Sequence, residues 1–481
     1  MRPKTPLQNK LPFAIDARPM DGFVTAHGGA VAFVTRAFRS MNLPGLCEAN
    51  LSAVRKIEKG YSPGQMVEAG VLACLVGCER VSDIDGLRAD EAVSKMLGYT
   101  MPGSRTLRDF LDAFHSEEKL SEARERAAKR KQTAYIPEAT PLQDGLQRVL
   151  GASARAAATK GAAVAMGTID MDATIIESRK RCAKLTYEGG RGFQPMVALW
   201  MEADAVVATE FRDGNVPARM RPKTCAVQAF QQLPKTVTRF AFRGDSANYD
   251  WDLLRWLRDE KRSEGPEGRI EFAISAMMSQ ELTRACASCP DADWTEFGTE
   301  DDGTVRQWTE VVFTPTEPEE KASTQALRFI GLRLLKPKGL TFADGSDRRF
   351  LALATNSSLP DGAKIIQWHR QKAGTIEHVH DELKNALAAA ALPSQRFGAN
   401  AAWLTLNAIA YNLASAIRAV LPDDNLRTAR LKAVRFQLFQ IAARVIRDSR
   451  KITVRFAASK EWMNNLRAFC KQFPCRTQST G

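Results

Sequence analysis

No stretch of the 481-residue sequence is apolar and unbroken over the length needed to cross a bilayer. The opening segment, MRPKTPLQNKLPFAIDARPM, starts basic but holds no apolar run of signal-peptide length, so no export is expected. The nearest approach to a membrane span is 399–421. It carries Asn400, Asn407, Asn412 and Arg418, which would be costly in lipid, so a buried Ala-rich helix is expected there. Cysteine is sparse, nine in all. Cys286 and Cys289 form one CxxC, and Cys470 and Cys475 form a wider pair elsewhere. A structural zinc site needs four ligands, so these read as ordinary thiols in a reducing cytoplasm. There is no Walker motif, no internal repeat and no low-complexity tract. Gly189-Gly190-Arg191-Gly192 reads as a strand-connecting turn rather than a phosphate cradle.

What the sequence does have is positive charge. Lys and Arg number 68 against 55 Asp and Glu, a formal net charge of +13. A positive field attracts polyanions, and in a cytoplasm the commonest is nucleic acid. Hydrophobic content of 44% and charged content of 26% describe a globular chain, and its length predicts two or three structural units.

Along the chain, 1–160 reads as a helical region for DNA binding and dimerisation. Apolar spacing recurs in 64–78 and 90–97, then Pro102, Gly103 and Ser104 give a turn and cap before a helix over 105–115. Arg105, Thr106 and Arg108 in the first turn of that second helix suit a helix-turn-helix that reads DNA; a plain pair of packed helices is the alternative. The charge-dense 116–133 reads as a solvated helix. From 161 to 289 strands appear at 163–176, 194–202 and 205–212, followed by a helix at 218–233, a strand at 237–244, a helix at 249–262 and a strand at 269–278. Three strands, a helix, a fourth strand and a helix are the order of a ribonuclease H-like α/β domain, a mixed sheet with helices packed on it. Residues 290–358 read as a β-rich insertion. Helical periodicity returns at 361 and is expected to persist through 447, with 359–421 closing the core and 422–481 forming a basic C-terminal region. The density of Arg427, Arg430, Lys432, Arg435, Arg444, Arg447, Arg450 and Lys451 suits either a phosphate backbone or a solvated basic helix.

Three acidic motifs stand out. In Thr168-Ile169-Asp170-Met171-Asp172-Ala173-Thr174 an extended chain puts Asp170, Asp172 and Thr174 on one face and Ile169, Met171 and Ala173 on the other. Two aspartates on one face of a core strand repel each other, and a divalent cation would relieve that; solvated carboxylates at a strand-end turn are the alternative. In Phe240-Ala241-Phe242-Arg243-Gly244-Asp245-Ser246 the apolar strand stops at Gly244 and leaves Asp245 at its tip, either as a site residue or as the N-cap of the next helix. In HRQKAGTIEHVHDELK, 369–384, Glu377, Asp381 and Lys384 share a helix face, while Glu382 lies well round the cylinder. His378 and His380 diverge, which argues against a zinc pair.

Together these motifs resemble the DDE transposases of bacterial insertion sequences whose third acidic residue sits in a Tyr-Arg-Glu-Lys motif. DMDAT at 170–174 resembles the first-Asp motif, RGDS at 243–246 the second and 369–384 the third, and the β-rich insertion before the last catalytic helix is similar too. The likeness spans roughly 160–420. Glu377 and Lys384 keep the Glu-x6-Lys spacing, whereas the Tyr and Arg slots hold Arg370 and Ala373, with His369 and Lys372 one residue away. The resemblance implies Asp172, Asp245 and Glu377 as catalytic metal ligands for Mg²⁺, with Mn²⁺ able to substitute. Asp172 is preferred to Asp170 because Thr174 follows it closely, and Asp170 stays open. It further implies DNA contacts from Lys384, Lys372 and Arg370, and a homodimer on double-stranded DNA that binds terminal inverted repeats and target DNA. The expected location is the bacterial cytoplasm, at the nucleoid when acting, with no membrane association. A ribonuclease H-fold nuclease without strand transfer and a non-catalytic DNA-binding protein are the rival functions.

Overall fold

The computed structural model describes residues 22–54, 60–160, 164–316, 327–448 and 451–474. The basic start of the chain, Arg450 and Cys475 lie outside the described residues.

After a short strand β1 (Phe23–Thr25) the N-terminal region is helical: α1 (Gly28–Ser40), α2 (Leu43–Leu51), α3 (Pro63–Val76), α4 (Ile84–Ala89), α5 (Glu91–Leu97), α6 (Ser104–Asp112), α7 (Glu117–Lys129) and α8 (Pro141–Ala158). The starts of α3 and α8 are written in the sequence. Ser62 and Thr140 each accept from the backbone three residues on, Gln65 and Gln143 return the bond, and proline occupies the first turn.

The central sheet begins with β2 (Met166–Ala173). A small side sheet of β3 (Ile176–Glu177), β4 (Lys184–Leu185) and β5 (Arg191–Phe193) precedes β6 (Met196–Trp200) and β7 (Ala205–Glu210). Helices α9 (Pro222–Gln231) and α10 (Trp251–Arg258) alternate with β8 (Arg239–Gly244) and β9 (Ile270–Ser275), and α11 (Gln280–Ala287) follows. Strand β2 pairs antiparallel with β6 and parallel with β8, β6 pairs antiparallel with β7, and β8 pairs parallel with β9. Read across the sheet these five run third, second, first, fourth, fifth, the mixed ribonuclease H-like order that the strand–helix sequence predicts. The pleat explains the layers. Val197 and Leu199 join the core shared with the N-terminal helices, while Met196, Ala198 and Trp200 join the one built with α9 and α10.

The segment after 290 forms β10 (Thr295–Thr299), β11 (Val305–Val311), β12 (Arg328–Leu335) and β13 (Arg348–Thr355). These strands are not a separate body. β13 pairs antiparallel with β9, Leu353 opposite Ser275, so the sheet runs on as one nine-stranded surface in the order β10-β11-β12-β13-β9-β8-β2-β6-β7. Helix α12 (Gly362–Asp381) crosses this joint. Its Ile365 and Ile366 pack with Ala273, Ile330, Leu332 and Leu353, and its first turn sits so close to Trp308 that a Cβ on Gly362 would lie 2.3 Å from the indole.

Helix α13 (Phe397–Ala419) is the Ala-rich segment, and its polar residues turn inward for a reason. Asn412 accepts from the Val206 backbone N–H at 2.7 Å and donates to the Val206 carbonyl at 2.8 Å, while Arg418 and Ser415 bind Asp204. A buried amide that satisfies strand backbone explains Asn412 on an apolar helix, while Asn400 ties the helix start to Ser394 and Asn407 donates to the Trp403 carbonyl of its own helix. Among the described residues no helix is long and apolar enough to cross a membrane.

The expectation of helix through 447 fails. Short helices α14 (Asp424–Thr428) and α15 (Leu431–Val434) and a π-helical turn at Arg435–Phe439 lead into a hairpin, β14 (Ala443–Asp448) and β15 (Lys451–Phe456), before α16 (Lys460–Gln472). β14 pairs with β1 from the other end of the chain. Buried Ala443 and Val445 flank exposed Arg444, a strand alternation that the density of basic residues hid. That basic run is also partly spent inside the fold. Arg435 donates to the carbonyls of Leu75 (2.9 Å), Cys74 (3.2 Å) and Ala386 (2.5 Å), and Arg427 and Arg430 pair with Asp424 and Asp381.

Candidate active site

Parallel pairing puts Asp170 opposite Arg243 and Met171 opposite Gly244, so Asp172 and Asp245 follow one position further, at neighbouring strand tips. The two levels differ sharply. Asp170 and Arg243 are both fully buried and joined by two bonds, Nε to Oδ1 at 2.6 Å and Nη2 to Oδ2 at 2.7 Å. Arg243 Nη1 also donates to the Trp368 carbonyl at 2.7 Å and to Gln371 Oε1 at 3.3 Å, and the Thr375 hydroxyl donates to Asp170. Strands β2 and β8 are thereby tied to α12 through one buried charge pair, whose partners neutralise each other and in which every guanidinium nitrogen has an acceptor.

At the tips the arrangement is open. The Asp172 side chain is 20% exposed; one oxygen accepts from the Ala173 N–H at 2.8 Å and the other from Lys372 Nζ at 3.1 Å. Asp245 caps the turn Ser246–Asn248, accepting from Ala247 N–H at 3.1 Å and Asn248 Nδ2 at 2.9 Å, so it is a strand tip and an N-cap at once. Burial first, then the negative charge of Asp172, hold the Asp245 carboxyl above the usual aspartate range against the opposing pull of Lys372. Asn248 Nδ2 also donates to the Met171 carbonyl at 3.2 Å and so ties this turn to β2. Two carboxylates that repel each other, with an ammonium already drawn to one, are an oxygen donor set suited to a hard divalent cation.

Helix α12 supplies the third motif. His369 and Lys372 face the tips: burial keeps the His369 imidazole below its ordinary pKa, and its Nε2 donates to the Gly244 carbonyl at 2.9 Å. Glu377 lies five residues beyond Lys372, exposed, and makes no hydrogen bond or ion pair with any described residue. Among the described residues no three His, Cys, Asp or Glu side chains stand close enough to share one ion. The structure thus brings Asp172 and Asp245 together and leaves Glu377 on the flank of the helix that covers them. The neighbouring acids are occupied elsewhere. Asp381 binds Arg430 and Asn385, and buried Glu382 accepts from the Leu431 N–H at 3.2 Å. Lys384 is half-buried on a π-helical turn (Glu382–Ala386), and Arg370 is exposed, 4.0 Å from Glu300.

Arg105 and Arg108 are exposed on α6, opposite buried Leu107, Phe110 and Leu111, and the start of that helix is fixed by Asp85, which accepts from Ser104 N at 2.8 Å and Oγ at 2.7 Å. The cysteines among the described residues are free thiols. Sequence reasoning missed Arg243 and Thr375 as holders of Asp170. The available signal was an arginine set in the apolar run FAFRG, two positions before the second acidic tip.

The chain matches the family model described as transposase DDE domain group 1 over residues 14–475. No curated protein matches it. Among solved structures, the piggyBac transposase in a synaptic complex with hairpin DNA is similar at a TM-score of 0.43 and 9% identity, covering 85% of this chain and 79% of that chain. A family match that takes in the helical N-terminal region, both acidic strand tips, α12 and the C-terminal hairpin settles the membership: the chain belongs to the transposase DDE domain group 1 family.

Proposed function

We propose that the chain is the transposase of a bacterial insertion sequence: it binds the terminal inverted repeats of its element, cuts beside them and joins the freed ends to target DNA. The observation that carries this reading is the pair of acidic strand tips, Asp172 and Asp245, above a fully neutralised ion-pair layer and beneath the helix that bears Glu377.

In this reading Asp172, Asp245 and Glu377 hold divalent cations, Mg²⁺ in the cell and Mn²⁺ as a substitute. When bound, such cations supply a nucleophile activated near neutral pH and charge stabilisation at the leaving oxygen. The rest falls to the chain's own groups. Lys372 releases Asp172 and becomes free to neutralise a phosphate, Lys384 and Arg370 hold the backbone near the cut, and exposed Glu377 turns toward the tips. Attack by water breaks one phosphodiester and leaves a 3′-hydroxyl. That hydroxyl then attacks a target phosphodiester, so one P–O bond forms as another breaks and no nucleoside triphosphate is consumed. Arg105 and Arg108 of α6 read the repeat, and two copies of the chain act together, one at each element end, in the bacterial cytoplasm at the nucleoid.

The test is the purified chain with Mg²⁺ and duplex DNA carrying the inverted repeats that flank its gene. Nicked and joined products are expected. Cutting without joining would reduce the protein to a nuclease, and binding without cutting would leave a DNA-binding protein only.

A further inference from the structure

Directly after the first acidic tip the chain builds the side sheet, ordered β3-β5-β4, and its turn between β4 and β5 is held firmly. Thr186 donates to the Gly190 carbonyl through its N–H at 2.7 Å and its hydroxyl at 3.1 Å, the Gly189 N–H returns to the Thr186 carbonyl at 3.1 Å, and Gly189 takes the left-handed φ of 86° that this turn needs. The Arg191 guanidinium clamps the base, donating to the carbonyls of Ala183 at 2.7 Å and Arg181 at 3.0 Å.

On this rigid tip sit Tyr187, 77% exposed, and Leu185, 65% exposed. Contiguous exposed apolar surface is where partners dock, and this fixed hairpin offers two large side chains two residues apart. The place is informative as well. The side sheet leaves β2 just past Asp172 and returns at β6, where the Thr174 N–H donates to the Pro195 carbonyl at 3.0 Å and Val197 pairs with Asp172, so the hairpin rises from the rim of the acidic tips; burial and Glu188 first, then the charges of Asp172 and Asp245, raise the pKa of the Tyr187 phenol. On the chain leading from β3 into β4, Arg179, Lys180, Arg181 and Lys184 make no ion pair with any described residue, although Lys184 acts at longer range on Asp213.

We infer that this hairpin is a DNA platform: the Tyr187 ring, with Leu185 beside it, stacks on a base next to the cut, while Arg179, Lys180, Arg181 and Lys184 follow the phosphates leading to it. Every base has a π face, so an aromatic ring is a sequence-tolerant support, and a basic groove beside it is the usual companion. Unpaired cations on the chain that leads into the hairpin favour a polyanion over a protein partner. The inference rests on the proposed function and deepens it by assigning the element that handles the DNA end.

The experiment uses the full chain in EDTA with a duplex carrying the flanking inverted repeat and 2-aminopurine at the base beside the expected cut. Binding of the unaltered protein should change the 2-aminopurine fluorescence. Tyr187→Ala should abolish that change and weaken binding by about five-fold or more, Tyr187→Phe should keep both, and melting temperatures should agree because the side chain is exposed. A Tyr187→Ala protein that binds and responds like the unaltered one overturns the platform. So does a Tyr187→Ala protein whose fluorescence response is intact but whose self-association is lost by light scattering, since the hairpin would then be a protein contact. Cleavage in Mg²⁺ separates the two claims. An unaltered protein that responds but neither cuts nor joins sinks the transposase reading and leaves the platform standing. One that cuts and joins while Tyr187→Ala does so equally well sinks the platform alone, and one that binds no DNA removes both.

Discussion

In the buried layer at Asp170 each charge has a partner of opposite sign and each nitrogen of Arg243 has an acceptor, whereas two residues along the same strand Asp172 shares one oxygen with a lysine and faces a second carboxylate across the strand boundary. The lower level behaves as structure: a charge pair that joins two strands to a helix and has nothing left to offer a ligand. At the upper level the opposing carboxylates leave charge uncompensated, as functional sites commonly do. The same residue type, on the same strand face, is fixed in one role by an arginine and kept available in the other by the lack of one.

The sharpest way to break this contrast is substitution at both levels with activity and affinity read separately. Asp172→Ala, Asp245→Ala and Glu377→Ala should each lower nicking and joining together by about three orders of magnitude or more, while affinity for element ends holds or rises slightly. A tip variant that still joins pre-cut ends would show that its carboxylate is not shared by the two steps. If Glu377→Ala alone stays active, the third acid lies elsewhere on α12.

Next in size is the lower level. Asp170→Ala leaves Arg243 buried and unpaired, and removing one partner of such a pair costs about 3–5 kcal/mol. Urea unfolding should register this loss of stability, and Asp170→Leu combined with Arg243→Met should recover most of it. Should Asp170→Ala unfold like the unaltered protein while all cleavage is lost, Asp170 rather than Asp172 would be the first ligand.

The smallest effect is a titration on α12. His380 is buried beside Lys384 and Lys372, and burial first, then those two charges, lower its pKa to about 3 from 6.5. The folded state therefore needs the neutral ring. Its contribution is fully present above 6.5 and is lost as pH falls from there toward 3, by about 1.4 kcal/mol per pH unit. Between pH 7 and 5, His380→Leu should lose roughly 2 kcal/mol less stability than the unaltered chain. Equal losses would mean that the ring protonates without opening its surroundings.

Much of this was legible in advance. The alternation through Ile169 and Met171 announced β2, the order of strands and helices announced the sheet, and the abrupt end of FAFRG at Gly244 announced the second tip. The rest depended on contacts between distant residues, which no local pattern encodes. Lys372 reads as a DNA contact, and only the packing of α12 sets it against Asp172, 200 positions earlier. Tyr187 reads as part of a turn until the turn is placed beside the aspartates. The hairpin β14–β15 reads as basic helix because its partner β1 lies more than 400 residues away, and a pairing strand that remote leaves no mark in a local window.

The seat of α12 against Trp308 bears on how such proteins can be altered or can diverge. The segment between β9 and α12 could pass for a cassette that lengthens, shortens or swaps freely. Its indole supports the first turn of the helix that carries Glu377, and its strand β13 is bonded to β9. Transplanting strands β10–β13 from a relative would therefore carry the old helix onto a foreign cushion. The unit that can be exchanged intact runs from β9 through α12.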